Sequence, residues 1–182
     1  MKSFLLIAVI GLASMSTTRA QTLLTKNGKI SFFSKTSMEN IDAVNNQVVS
    51  VLNSKTGVTQ FSVQTTGFIF KKALMQEHFN EDYMESEKYP KATFKGKIAD
   101  ISKVNFSKDG NYPVSVAGDL NVHGVTNKVT VPGTISIVGG KVNATATFTI
   151  LLADYKIDIP KMVQNNISKS IEIKVDCDYL PK

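Results

Sequence analysis

The side chains able to do chemistry in this chain are few and scattered. There are two histidines, His78 and His123, one cysteine, Cys177, no tryptophan, and a single arginine, Arg19, which lies within the first twenty residues. Asp119 stands four residues before His123, so a Ser-His-Asp arrangement can be drawn on paper. The pair falls on or beside one strand, however, and no nucleophile elbow accompanies it. No His-x-His or Cys-x-x-Cys spacing offers a metal a ready set of ligands. The sequence therefore predicts no enzyme, no metal site and no cofactor. His78 reads as a helix-surface or packing residue, and His123 as a turn residue that hydrogen-bonds backbone. Cys177 belongs to the alternating run Ile171, Ile173, Val175, Cys177, Tyr179 and reads as a small buried hydrophobe. Being alone, it forms no intramolecular disulfide, so stability must come from packing.

The elements that would position these residues begin after a distinct leader. Lys2 precedes an apolar run from Phe4 to Ala13, followed by a small and polar approach that closes on Thr18, Arg19 and Ala20. That layout predicts a cleavable secretory signal over residues 1–20, with no cysteine nearby to accept a lipid. Its apolar run of roughly ten residues is short of the ~20 that span a bilayer. The expected mature chain, residues 21–182, is a single domain destined for the periplasm or for secretion. The leader holds two of the 21 basic residues and none of the 15 acidic ones, which leaves a mature formal charge of +4. The lysines are spread rather than clustered and the mature chain lacks arginine, which argues against a nucleic-acid partner. A loose preference for anionic membrane surfaces is compatible with this charge and would allow transient contact.

From Pro90 onward the pattern has period two, the mark of strands with one buried face. Ala92, Phe94 and Ile98 alternate with Thr93, Lys95 and Lys97. Val114, Val116, Leu120 and Val122 alternate with Ser115, Asp119 and Asn121. Val142, Ala144, Ala146, Phe148 and Ile150 alternate with polar partners, as do Ile171, Ile173 and Val175. Asp109-Gly110-Asn111 and Gly139-Gly140 supply hairpin turn chemistry between consecutive runs. Before Pro90 the pattern is less regular. Lys29–Ser34, Gln47–Asn53 and Val58–Thr66 read as strands, with Thr36–Asn46 as a polar loop or helical turn. Leu74 with His78, and Met75 with Phe79 and Tyr83, recur at spacings of four, which predicts a short amphipathic helix across a barrel mouth that Pro90 brings to an end. The total is about eight antiparallel strands, and alternation alone does not separate a barrel from a sandwich.

Two separated blocks carry a family resemblance. Gly118-Asp119-Leu120-Asn121-Val122-His123-Gly124-Val125-Thr126-Asn127-Lys128-Val129 forms one. His78-Phe79, Ser86, Tyr89-Pro90 and Phe94 form the other, with a softer match over residues 153–160. Together they resemble the YceI-like family, although the His-Ser pair that opens many members is replaced here by Gly28-Lys29-Ile30-Ser31-Phe32-Phe33-Ser34-Lys35. The resemblance implies an all-β fold with a short helix: an eight-stranded antiparallel lipocalin-like β-barrel of the bacterial envelope, enclosing an apolar cavity that holds a polyisoprenoid or fatty-chain lipid.

On that reading the cavity candidates are Phe61, Val63, Phe94, Ile98, Val116, Leu120, Ala144, Ala146, Phe148, Ile171, Ile173 and Val175. Phe79, Tyr83, Tyr89 and His123 are placed at its mouth. The residues themselves leave open whether large and small inward side chains interlock as an ordinary core or leave a tunnel. The expected function is transport or storage of an apolar small molecule or lipid by a monomer or homodimer. The alternative is a ligand-free barrel acting as a stress-related interaction module.

Overall fold

A computed structural model describes residues 21–181, with the side chain of the last of these excepted; the leader expected over residues 1–20 lies outside the described residues. Eight long strands close on themselves. They are β1 (Thr22–Lys35), β2 (Asn40–Asn53), β3 (Val58–Gln64), β5 (Lys91–Ile98), β6 (Gly110–Val122), β7 (Val125–Val138), β8 (Lys141–Leu151) and β9 (Ser170–Pro181). A two-residue strand, β4 (Ile69–Phe70), lies between β3 and β5 in the chain. The sheet runs β1-β9-β8-β7-β6-β5-β3-β2 and returns to β1, every pairing antiparallel, which makes it a closed barrel. No helix among the described residues is long and apolar enough to cross a membrane.

Two tight turns set the register of the C-terminal half. His123-Gly124 joins β6 to β7 and Gly139-Gly140 joins β7 to β8, with φ of +51°, +74°, +55° and +77°. Paired positive φ values match the right-handed twist of the flanking strands, so these hairpins form without splaying. Asp109-Gly110-Asn111 does not form a third such hairpin. Residues 99–109 make a longer connection containing a 3-10 turn at Ile101–Lys103, and the Asp109 carboxylate instead accepts the Gly139 N–H at 3.0 and 3.1 Å. Val104 from that connection is buried, and Ile101 and Phe106 pack beside it over Leu23, Leu52, Ile98, Ile135, Ile137 and Tyr179. This end of the barrel is filled with side chains.

The N-terminal half departs from the sequence expectation in two places. β1 begins at Thr22 rather than Lys29, because register shifts between Thr25 and Ile30 put the inward positions out of phase and hide the alternation. Thr36–Asn46 is not a loop. Only residues 36–39 turn, braced by the Thr36 hydroxyl, which donates to the Glu39 carbonyl and accepts from the Met38 and Glu39 N–H groups, and Asn40–Asn46 is the first half of β2. Its inward face is Ile41, Ala43 and Asn45, too small and polar a set to register as a strand. Asn45 is fully buried, donates to the Gln64 carbonyl at 2.9 Å and accepts the Gln47 N–H at 2.8 Å. It seals the gap where β3 leaves the β2 edge and β4 takes over.

The predicted helix is α1 (Ala73–His78), continued by a π turn at Phe79–Tyr83. It ends at Met84, before Pro90, with Glu85 at φ +43° turning the chain away. Residues 152–169, with 3-10 turns at Leu152–Tyr155 and Lys161–Val163, join it in covering the second end of the barrel.

Gly96 and Gly118 face each other across β5 and β6, and the Phe94 ring lies over both. A side chain at Gly118 would collide with Phe94, the Lys95 carbonyl and the Gly96 backbone. Gly118→Val is therefore expected to cost at least about 1–3 kcal/mol of stability. Urea unfolding of the variant beside the wild type measures it.

Candidate functional site

The inward positions of the strands do not meet along the whole barrel axis. Between the filled end and α1 they enclose a cavity of about 390 Å³. All twelve cavity candidates line it: Phe61 and Val63 from β3, Phe94 and Ile98 from β5, Val116 and Leu120 from β6, Ala144, Ala146 and Phe148 from β8, and Ile171, Ile173 and Val175 from β9. Gly133 of β7 sits opposite Ala146, and Ala144 opposite Ile135, so small side chains leave one wall of the interior unfilled. An ordinary core has few voids larger than a water molecule. Interlocking of large and small residues does not describe this interior.

Of the four mouth candidates, Phe79 and Tyr83 line the cavity, while Tyr89 and His123 do not. The π turn aims Phe79 at Phe32, Phe68 and Phe70, with ring centroids 5.0 to 5.6 Å away, so one aromatic cluster forms the wall below the helix. Burial, with the nearby Asp82 carboxylate as the smaller cause, raises the pKa of the Tyr83 phenol. His123, at the tip of its hairpin, points sideways. Its Nδ1 lies 3.1 Å from the Tyr155 carbonyl and its Nε2 2.9 Å from the Glu85 carboxylate, with the Tyr89 ring edge-on at 4.7 Å. Asn127 adds a bond to the Asp154 carbonyl at 2.8 Å. The tip of the hairpin thus clamps the covering segments together, while Leu120, Val122 and Val129 behind it line the cavity.

The sequence missed several lining residues. Phe32, Phe68 and Phe70 lay in the half whose alternation was broken, although the Phe32-Phe33 and Phe68-Ile69-Phe70 pairs were a signal of aromatic density. Ile157, Val163, Asn166 and Ile167 come from the covering segment after β8, where only a soft resemblance pointed. Glu39, Ser34 and His78 bring polar atoms to the helix-covered end; Thr59 and Tyr179 bring hydroxyls to the filled end. His78 Nδ1 lies 2.7 Å from the Asp82 carboxylate. No group of three or more His, Cys, Asp or Glu among the described residues could hold a metal. The surface on offer is almost entirely hydrocarbon, with Glu39 as its one carboxylate among the described residues.

Cys177 is fully buried behind this wall, against Gly28 of β1. Burial pushes its thiol up to about 12 and also raises the pKa of the Tyr179 phenol, whose hydroxyl is 2.6 Å from that of Ser50. A raised folded-state pKa means that the unfolded chain releases its proton first. Stability is therefore complete below the ordinary thiol value of 9.0 and declines as the pH rises from there towards about 12. Thermal melts at pH 8 and pH 11 should show the fall, and the thiol should resist a disulfide reagent at pH 8 until the protein is unfolded.

Comparison with known proteins bears on this geometry. The family model for the YceI-like domain matches residues 12–179. A polyisoprenoid-binding domain from Saccharophagus degradans, implicated in plant cell wall breakdown, superposes with a TM-score of 0.78 at 14% identity, over 90% of this chain and all of that one. BcnA of Burkholderia cenocepacia superposes at 0.70 with 19% identity, over 84% of this chain and 96% of its own. A Campylobacter jejuni YCEI protein gives 0.51 at 14% identity, covering 98% of both chains. No curated protein matches the sequence. At these identities the structural likeness establishes the barrel fold.

Proposed function

The chain belongs to the YceI-like family, and from that premise we propose that it binds a long apolar molecule, a polyisoprenoid or fatty-chain lipid, inside its barrel for transport or storage in the bacterial envelope. The observation that carries this reading is the apolar cavity of about 390 Å³, filled with side chains at one end and covered by α1 at the other. Its volume falls within the ~300–1,000 Å³ of small-molecule sites. Each methylene moved from water into it gains ~0.8 kcal/mol before the costs of ordering a flexible chain. The polyisoprenoid-binding neighbour supports the same class of ligand.

Entry is at the helix-covered end. Met38, Ile69, Leu74 and Met162 stand exposed on the elements around it, Met162 at 97%. These side chains are the surface that would touch a bilayer during exchange of a lipid. No covalent step is assigned to the cavity, and the protein is read as a binder.

Organic extraction and native mass spectrometry of protein purified from its own host without detergent should find a long-chain molecule near one per barrel. Ala146→Phe should abolish its retention while the melting temperature holds or rises, because the ring fills open space. If the cavity is closed in solution, the same change overpacks the interior and costs about 1–3 kcal/mol. A ligand-free wild type together with that destabilisation would favour the interaction-module reading.

A further inference from the structure

We propose that the cavity selects an apolar chain whose polar end is an uncharged hydroxyl and discriminates against the same chain ending in phosphate or carboxylate. This rests on the reading of the cavity as a hydrocarbon-binding site and specifies the chemistry of its ligand. Among the described residues, no lysine or arginine lines the cavity, and Glu39 is the one carboxylate that does. The four-residue turn between β1 and β2, held by the Thr36 hydroxyl, delivers that side chain to the mouth.

The surroundings keep Glu39 ionised and in place. Lys72 Nζ donates to Oε1 at 3.2 Å and Asn166 Nδ2 donates to Oε2 at 3.3 Å. The Lys72 hydrogen bond is the first cause holding its pKa below the usual carboxylate value. Ser34, bonded through its hydroxyl to the Ser168 N–H at 2.8 Å, pins the segment that carries Asn166. Glu39 is therefore a fixed acceptor at the rim of an apolar chamber. A hydroxyl arriving there finds a strong acceptor; an anion meets like charge.

Lys72 is paired with Glu39, and Lys71 lies 2.7 Å from Asp42. Lys35, Lys161 and Lys169 lie on the segments around the mouth, but none of them lines the cavity. An anionic head group seated in the cavity would therefore have to leave its lining to reach a free counter-charge. Reversing the ligand does not help it. The deep end presents the hydroxyls of Thr59 and Tyr179, which are neutral, and an unpaired charge buried there loses its hydration without compensation. Both ends of the chamber thus favour the uncharged terminus.

The test is displacement of the neutral fluorophore N-phenyl-1-naphthylamine from the full-length mature protein by geranylgeraniol, geranylgeranoic acid and geranylgeranyl diphosphate, at ~0.15 M salt. The alcohol is expected to compete at concentrations at least about tenfold lower than either anion. In Glu39→Gln, folded as judged by its melting temperature, the ratio should shrink to about threefold or less. Anions that compete as well as the alcohol would overturn the inference while leaving the hydrocarbon site intact, as would a ratio untouched by Glu39→Gln. Failure of the fluorophore and all three prenyl compounds to bind would instead remove the hydrocarbon-binding reading, and this inference with it.

Discussion

The pairing of β1 with β2 is what permits an unfilled interior. A sheet left open between those strands would expose two edges, and its apolar face would have to be covered by packing. Here β1 and β2 pair from Thr22 opposite Asn53 to Lys35 opposite Asn40, so the ladder closes and the wall supports itself. The closure must carry a real load. At roughly 24 cal/mol per Å³, a void of about 390 Å³ corresponds to roughly 9 kcal/mol, comparable with the whole stability of a domain. The filled end, with Leu52, Ile135, Ile137 and Tyr179 nearly inaccessible, supplies the dense packing that the middle lacks. Occupation by a hydrocarbon chain would restore contacts to the lining that it otherwise forgoes.

The barrel was legible where a strand's period was unbroken. β5, β6, β8 and β9 satisfy that condition, and every cavity candidate drawn from them lies on the wall. β1 hides behind its bulges, and the first half of β2 behind Asn45, a buried polar residue whose partners, the Gln64 carbonyl and the Gln47 N–H, include one nineteen residues away. Alternation reports which face a residue occupies along a strand. It carries no information about a partner across the sheet.

The mouth was harder to read for a related reason. Tyr89 and His123 sit beside the diagnostic motifs, but a residue at the tip of a positive-φ turn has left the plane of the strand and its side chain leans along the barrel rim. Phe79, in contrast, belongs to a π turn whose extra residue redirects it inward onto Phe32, Phe68 and Phe70. The tip of the hairpin block that carries the family resemblance is thus structural, although Leu120, Val122 and Val129 of the same block line the cavity. It fastens residues 85–89 and 152–155 over the barrel, while much of the surface that would meet a ligand comes from segments with no recognisable motif.

The asymmetry between the two ends has a kinetic meaning. A pore open at both ends can receive cargo from one side and release it to the other. A blind-ended chamber cannot act as a conduit, because the part that enters first is the last to leave and departure retraces arrival. If the proposed binding serves transport, donor and recipient would have to compete for one face of the protein. A molecule held in this way would be passed on by alternate encounters, in the manner of a ferry with a single gangway.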